Sequence, residues 1–179
     1  MNASKLNKAM IKRIFVILVF ISTLLIMSRY DLNFKVYGVE KLDMRFGYSY
    51  RDVYNLFSVL GVAGRDIYAR YFCIDFVFIA SFALVQNYIL KWAMGNLVLQ
   101  SKWRALLCIS YFRGLFDILE NIIILVLLAD FSKNTLWLVA VSSFFTQLKF
   151  VVLGIWLLAI PVIIVIRILI KKKRRFQEG

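Results

Sequence analysis

Four long apolar stretches separated by short polar segments constrain the fold of this chain more than any other feature of its sequence. They lie at about residues 11–30, 70–90, 105–128 and 136–170. Roughly 20 apolar residues suffice for a helix to cross a bilayer, and a helix satisfies its own backbone hydrogen bonds in hydrocarbon. With 62% hydrophobic residues, the chain is expected to be an all-α membrane protein, a four-helix transmembrane bundle forming one domain over 1–179.

Basic residues stand at the ends of these stretches and indicate the orientation. The net charge is +13, and cytoplasmic segments of membrane proteins are enriched in Lys and Arg. We therefore predict a cytoplasmic N-terminus and a cytoplasmic basic tail 171–179, with the first loop 31–69 and the Asp130–Thr135 turn across the membrane. Such clusters suit anionic lipid headgroups, so membrane lipids are the expected partners and nucleic acid is not. The residues concerned are Lys5, Lys8, Lys12, Arg13, Lys91, Lys102, Arg104 and Lys171–Arg175.

The first extracytoplasmic loop, about 40 residues long at 31–69, is expected to contain local structure of its own. Weak two-residue alternation over 34–42 predicts a short strand or hairpin. The segment 49–52 resembles a capping box, and Gly61 is expected to end the helix that follows it. Between them, a short amphipathic helix is predicted from apolar residues at i, i+3, i+4 and i+7, which are Val53, Leu56, Phe57 and Leu60.

Polar residues inside the apolar stretches predict a buried polar site. Arg113, Asp117, Glu120 and Asn121 follow one another at i, i+4, i+7 and i+8, which places them on one face of a helix. Ionisable groups at membrane depth usually face the bundle interior and mark a function. A rise of 1.5 Å per residue puts polar residues of two other spans at similar depths. The predicted polar site is formed by Asp75, Arg113, Asp117, Glu120, Asn121, Thr146 and Lys149.

Two interpretations of this polar site stay open at the level of sequence. It is either a charge network that fixes the packing of the helices, or a pocket in which one carboxyl group stays unpaired and binds a ligand or acts as an acid. The pocket predicts a lipid- or sterol-handling protein with a cavity lined by Tyr68, Phe72, Phe112 and Phe116. The network predicts a noncatalytic membrane subunit or assembly factor, with a membrane-protein partner. An ion pathway ranks last, because Arg113 would obstruct cations.

The remaining chemistry of the sequence excludes several function classes. No histidine is present, and no nucleophile elbow or Walker motif occurs. Neither a metal nor a cofactor is therefore expected. Cys73 and Cys108 form no CxxC pair and are interpreted as small packing residues. The glycine pair in Gly61–Arg65 lacks the Lys-Ser/Thr of a phosphate-binding loop. It predicts a turn with headgroup contacts beyond it, at Arg65, Tyr68 and Arg70.

Several motifs together resemble a group of small four-span membrane proteins that has no assigned function. The resemblance covers about Leu42 to Leu153 and implies a four-helix membrane fold. It carries over no activity and no catalytic residue. A looser similarity in layout to four-helix sterol isomerases and sterol-binding proteins implies nothing about function. The motifs are Phe46-Gly47-Tyr48-Ser49, Gly61-x-x-Gly64-Arg65-x-x-Tyr68, the intramembrane Asp75, Phe116-Asp117-x-x-Glu120-Asn121 and Thr146-x-x-Lys149.

Overall fold

The computed structural model describes residues 3–99, 101–131 and 135–178, and these form an all-α bundle. Four long helices follow one another: α1 (Ala3–Val36), α2 (Tyr50–Met94), α3 (Cys108–Ala129) and α4 (Leu136–Glu178). Short 3-10 segments at Leu42–Met44, Gly95–Leu99 and Ala105–Leu107, and one helical turn at Ser101–Arg104, lie between them. Within the described residues there is no strand. The predicted all-α bundle is confirmed, while residues 132–134 of the predicted turn lie outside the described residues.

Three of the four helices are long and apolar enough to cross a membrane. The qualifying segments are Asn7–Val36, Tyr50–Leu97 and Leu136–Lys173. Helix α3 is of spanning length at 22 residues, but it carries the three ionisable residues Arg113, Asp117 and Glu120. The chain is thus an integral membrane protein with several helices. Below, the bundle end with residues 37–49 is called the loop end, and the end with Gly95–Leu99 is called the tail end.

Helix α2 begins at Tyr50, well before the start of the predicted second span at about residue 70, and so contains the predicted amphipathic helix. The Ser49 side chain accepts from the Asp52 backbone N–H, and the Asp52 side chain accepts from that of Ser49, so the capping box is present. All four apolar stripe residues are buried. Gly61 breaks the helix with φ 59° and ψ −164°, a backbone conformation that glycine adopts without steric cost. The helix resumes directly after it, so the amphipathic segment and the second span form one kinked helix.

The strand or hairpin predicted over 34–42 is wrong, because α1 continues to Val36. The side chains that bury this segment are spaced four residues apart. Tyr30 packs edge-on against Tyr71 at 6.1 Å between ring centroids, and Phe34 packs against Tyr68 at 5.0 Å. A spacing of four belongs to one helix face, so aromatic packing on α2 overrides the weak alternation. Helix α1 ends in a turn at Gly38, whose φ is 66°.

Two apolar clusters hold the bundle together at its two ends. At the loop end, Phe34, Leu56 and Phe72 belong to a core of aromatic and aliphatic side chains to which all four helices contribute. At the tail end, Leu90 of α2 packs with Trp156 of α4. Helix α4 passes through Pro161 without interruption over 43 residues, about 64 Å at 1.5 Å per residue. It is therefore longer than the hydrocarbon core of a bilayer.

An arginine of α4 caps the C-terminus of α2. Arg167 donates from Nη1 to the Trp92 carbonyl at 3.0 Å and to the Ala93 carbonyl at 3.3 Å. A cation at a helix C-terminus interacts favourably with the unpaired carbonyls there. Gly95 follows with φ 52°, and a Cβ at this position would lie 3.0 Å from the Arg167 guanidinium carbon. Glycine is therefore favoured by the positive φ, and a larger residue would also displace the Arg167 side chain.

Candidate functional site

The polar face of α3 is buried between α2 and α4, as the helical spacing predicted. Arg113 and Asp117 are 6% and 3% exposed, and Glu120 and Asn121 are fully buried. The residues predicted on other helices are buried as well: Asp75 on α2, with Thr146 and Lys149 on α4. The contacts described below connect these seven residues into one ion-pair network and one separate hydrogen-bonded pair.

Two cations and two carboxylates form the network, which we call the charge quartet: Arg113, Asp117, Glu120 and Lys149. Lys149 Nζ lies 2.9 Å from Asp117 Oδ1 and 2.6 Å from Glu120 Oε2. Arg113 Nη2 pairs with Asp117 Oδ2 on the same helix, four residues away. The formal charges of the quartet sum to zero. Since buried charges are tolerated when they are paired, the quartet is electrostatically closed.

Hydrogen bonds from α4 and from the loop hold the quartet in place. Thr146 Oγ1 lies 2.6 Å from Glu120 Oε1 and donates to it. One turn away, Ser142 Oγ shares a hydrogen bond of 2.6 Å with the Tyr48 hydroxyl, and the Tyr48 backbone N–H donates to Ser143 Oγ at 2.8 Å. The loop residue Tyr48 therefore closes the loop end of the site.

Tyr48 was not predicted to belong to the site. Burial raises the pKa of its hydroxyl well above the usual range, and the nearby Glu120 carboxylate raises it further. Tyr48 therefore stays neutral as a hydrogen-bonding group. Beside it, Gly47 has φ 108°, and a Cβ there would lie 2.7 Å from Gln147 Nε2. The Phe-Gly-Tyr-Ser segment was the one sequence signal that could have pointed to this contact.

Asp75 is the carboxyl group of the site that lacks a cation. Asn121 Nδ2 donates to Asp75 Oδ2 at 2.5 Å. No cationic side chain in the described part of the chain forms an ion pair with Asp75. The residue is 4% exposed, so its carboxyl group is shielded from solvent. Of the three acids predicted for the site, Asp75 therefore stands apart from the quartet.

Aromatic rings cover the side of Arg113 that faces α2. Its guanidinium carbon lies 4.5 Å from the centre of the Phe82 ring and 6.0 Å from that of Phe78. Both distances fall within the range of cation–π attraction. Phe20 of α1 stacks on the same two rings, at 5.3 Å and 5.6 Å. Aromatic rings of α1 and α2 therefore cover this side of the Arg113 guanidinium group.

A second buried polar cluster, which sequence reasoning missed, lies at the loop end. Asp43 is 5% exposed and accepts from the Tyr68 hydroxyl at 2.7 Å and from the Tyr71 hydroxyl at 3.2 Å. Lys41 Nζ pairs with Asp31 at 2.7 Å and lies 3.8 Å from the centre of the Tyr71 ring. Asp43 sits in a 3-10 turn without periodicity, so the sequence carried no signal for it.

Of the three residues predicted to contact lipid headgroups, Tyr68 is buried, whereas Arg65 and Arg70 are not. Tyr68 is fully buried, and its hydroxyl accepts from the Leu42 backbone N–H at 2.9 Å, so a headgroup contact at Tyr68 is wrong. Arg65 is half-buried, and its Nε donates to the Gly61 carbonyl at 3.2 Å. Arg70 is exposed and pairs with Asp66 at 2.6 Å. The two arginines remain at the surface of the loop end.

The four aromatic residues expected to line a cavity lie in different environments. Tyr68 and Phe72 are fully buried and stack at 4.8 Å, whereas Phe112 is 53% exposed. An apolar groove of about 390 Å³ lies instead between α2 and α3. Its lining includes Ile79, Ala80, Ala83, Tyr111, Gly114 and Ile118.

Both cysteines are free and exposed on the helix surfaces, so their interpretation as packing residues is wrong. Among the described residues, no group of three or more His, Cys, Asp or Glu side chains could hold a metal ion.

No protein-family model, no curated protein and no solved structure matches the chain. The resemblance to small four-span membrane proteins therefore stays an expectation that rests on its motifs alone.

Proposed function

We propose that this protein is a noncatalytic membrane subunit or assembly factor in which the buried charges are a structural network. The observation that carries the proposal is the closure of the charge quartet, whose four members are all paired and at most 6% exposed. A catalytic or ligand-binding carboxylate needs a free oxygen or an accessible face. Asp117 and Glu120 instead use their oxygens on Arg113, Lys149 and Thr146.

The same closure supports α3 as a fourth membrane span. Unpaired charges at membrane depth are costly, and the quartet neutralises the three ionisable residues of α3 with the help of Lys149 from α4. We therefore infer four spans, with both termini in the cytoplasm on the basis of the flanking basic residues.

Cysteine labelling tests this orientation. In a Cys73→Ser, Cys108→Ser background, Met44→Cys should react with an impermeant thiol reagent added outside, and Asn96→Cys should not. Met44 is 58% exposed at the loop end and Asn96 is exposed at the tail end. Labelling of Asn96→Cys from outside in sealed, oriented vesicles would contradict the proposed topology.

The noncatalytic role is tested by the state of the protein extracted from its own membrane in mild detergent. A subunit or assembly factor should migrate in a defined complex larger than its 20.9 kDa chain, with a partner in fixed ratio and without a stoichiometric bound lipid. A monomer that carries one lipid-like molecule per chain would contradict the proposal.

A lipid- or sterol-like ligand is the second candidate, and Asp75 is the observation that favours it. Its carboxyl group is free of a cation, and the apolar groove approaches it. Ile79 in the groove wall lies one helical turn from Asp75, and Ile118 lies one turn from Asn121. Under this alternative, native mass spectrometry should show a retained ligand that is lost in Asp75→Asn but kept in the surface control Asp66→Asn. Equal spectra for wild type and both variants, with no ligand retained, would exclude it.

A further inference from the structure

Five buried polar atoms on the tail-end side of the charge quartet have no hydrogen-bond partner within the described protein. They are Nε2 and Oε1 of Gln86, Oγ of Ser110, and Nε and Nη1 of Arg113. Gln86 and Ser110 are fully buried and Arg113 is 6% exposed. None of these atoms belongs to the pairing that closes the quartet, which uses Nη2 of Arg113.

Two contacts between α2 and α3 place these side chains in one region. At one level, a Cβ on Gly114 would lie 3.7 Å from the Ala83 Cβ. At the next level towards the tail end, Asn87 Nδ2 donates to the Leu107 carbonyl at 3.1 Å. Gln86 and Ser110 lie between these two levels on their helices.

Arg113 belongs to the same region through its neighbours on both helices. It follows Ser110 by three residues on α3, so the two share a helix face. Its guanidinium carbon lies 4.5 Å from the centre of the Phe82 ring, and Phe82 is one turn before Gln86 on α2. The amide, the hydroxyl and the guanidinium group therefore lie on neighbouring turns of α2 and α3.

Burial without a partner is strongly unfavourable for amide, hydroxyl and guanidinium groups. Native proteins satisfy such atoms with other protein groups or with ordered water. Here no described protein group satisfies them. The apolar groove of about 390 Å³ reaches Ala83 and Gly114, which lie one helical turn from Gln86 and Ser110.

We propose that Gln86, Ser110 and Arg113 form a water-binding pocket on the tail-end side of the charge quartet. A water molecule can both donate and accept hydrogen bonds. Water can therefore donate to the Gln86 amide oxygen, accept from the N–H groups of Gln86 and Arg113, and do either with the Ser110 hydroxyl group. A bound anion would need a net positive site, whereas Arg113 is already neutralised by Asp117.

Reactivity of a cysteine at Ser110 tests the pocket. A thiol reacts as its thiolate, which forms in a hydrated site and is suppressed in a dry apolar one. In the full-length Cys73→Ser, Cys108→Ser protein in liposomes, Ser110→Cys should react with methyl methanethiosulfonate about tenfold faster than Ala93→Cys, or more. Ala93 is a matched control because it is a small, fully buried residue in the apolar tail-end cluster.

Equal rates for Ser110→Cys and Ala93→Cys would overturn the proposal. Slowing of the Ser110→Cys reaction by chloride or nitrate, relative to an equal concentration of gluconate, would also overturn it, because the occupant would then be an anion.

A second variant keeps the proposal testable if Ser110→Cys does not fold. Gln86→Met keeps the size of the side chain and removes its polar atoms. If water pairs with the amide, the melting temperature in detergent should fall further than in the control Leu90→Met, which changes a fully buried apolar residue one turn away. If the amide is left unsatisfied, its removal should raise the melting temperature, and that result would overturn the pocket.

Discussion

Lys149 Nζ lies 2.6 Å from Glu120 Oε2, which joins α4 to α3 inside the bundle. Glu120 is fully buried and Lys149 is 6% exposed, so solvent screens this pair little. Asp117 shares the same ammonium at 2.9 Å but has Arg113 as a second partner. Glu120 has Lys149 as its cation, so the two carboxylates should respond differently when the lysine is removed.

Thr146→Val should destabilise the protein by about 1–3 kcal/mol, because Glu120 would lose a buried hydrogen-bond donor while the side chain keeps its shape. The matched control is Thr23→Val, since Thr23 is also buried but bonds to carbonyls of its own helix. Thermal unfolding in detergent measures both variants. Equal losses would mean that the bond between Thr146 and Glu120 contributes nothing specific.

Tyr48→Phe should change the dependence of stability on alkaline pH. The folded-state pKa of Tyr48 is raised above its ordinary value of 10.0, so its contribution to stability is fully present below pH 10. As pH rises above 10, the unfolded chain loses this proton and the folded chain keeps it, and stability falls. The variant lacks this contribution, so its melting temperature should decline less steeply above pH 10. Parallel curves for wild type and variant would contradict the buried position of the hydroxyl.

Leu56→Asp together with Leu60→Asp should make the segment between Tyr48 and Gly64 sensitive to protease. Both leucines are buried in the loop-end core, at 2% and 3% exposure, and burying a carboxylate there is strongly unfavourable. Val59→Asp is the control, because Val59 lies on the same helix and is 52% exposed. The docked position of this helix would be refuted if the double variant resisted digestion as well as Val59→Asp does.

Gly95→Ala should cost about 1 kcal/mol or more, because an L-residue is strained at positive φ and its Cβ would press on Arg167. Gly38→Ala shares the positive φ of 66° but has nothing within 4 Å of its Cβ. The difference in melting temperature between the two variants reports the added strain at Gly95, which comes from its ψ of −125° and from the contact with Arg167. A larger loss for Gly38→Ala would contradict the close approach at Gly95.

Sequence reasoning reached the charged site because helical spacing and depth depend on residue numbers alone. Arg113, Asp117 and Glu120 had to share a face of any helix, and Lys149 fell at their depth on the next one. The pairing of these side chains could not be predicted from the sequence. Lys149 pairs with both Asp117 and Glu120, and Asp75 binds Asn121, because of how the helices are rotated about their axes.

Residues outside regular helices were the least predictable. The contacts of Asp43 and Tyr48 depend on the path of residues 37–49, which carries no periodicity. The strand expected at 34–42 failed because Tyr30 and Phe34 pack on α2 at helical spacing. Gln86 and Ser110 are polar residues within the predicted spans. That their side chains lack hydrogen-bond partners can be seen only in the packed bundle.

The most direct test of the structural network is a double-mutant cycle on Lys149, measured by thermal stability in detergent. Lys149→Met alone should cost on the order of 3–5 kcal/mol, because it leaves buried carboxylates short of a cation. Adding Glu120→Gln should restore more of this loss than adding Asp117→Asn, since Asp117 keeps Arg113. Additive losses in both double variants would contradict the pairing. Likewise, if Glu120→Gln alone kept full stability but lost a bound lipid-like ligand, the site would be a pocket and not a closed network.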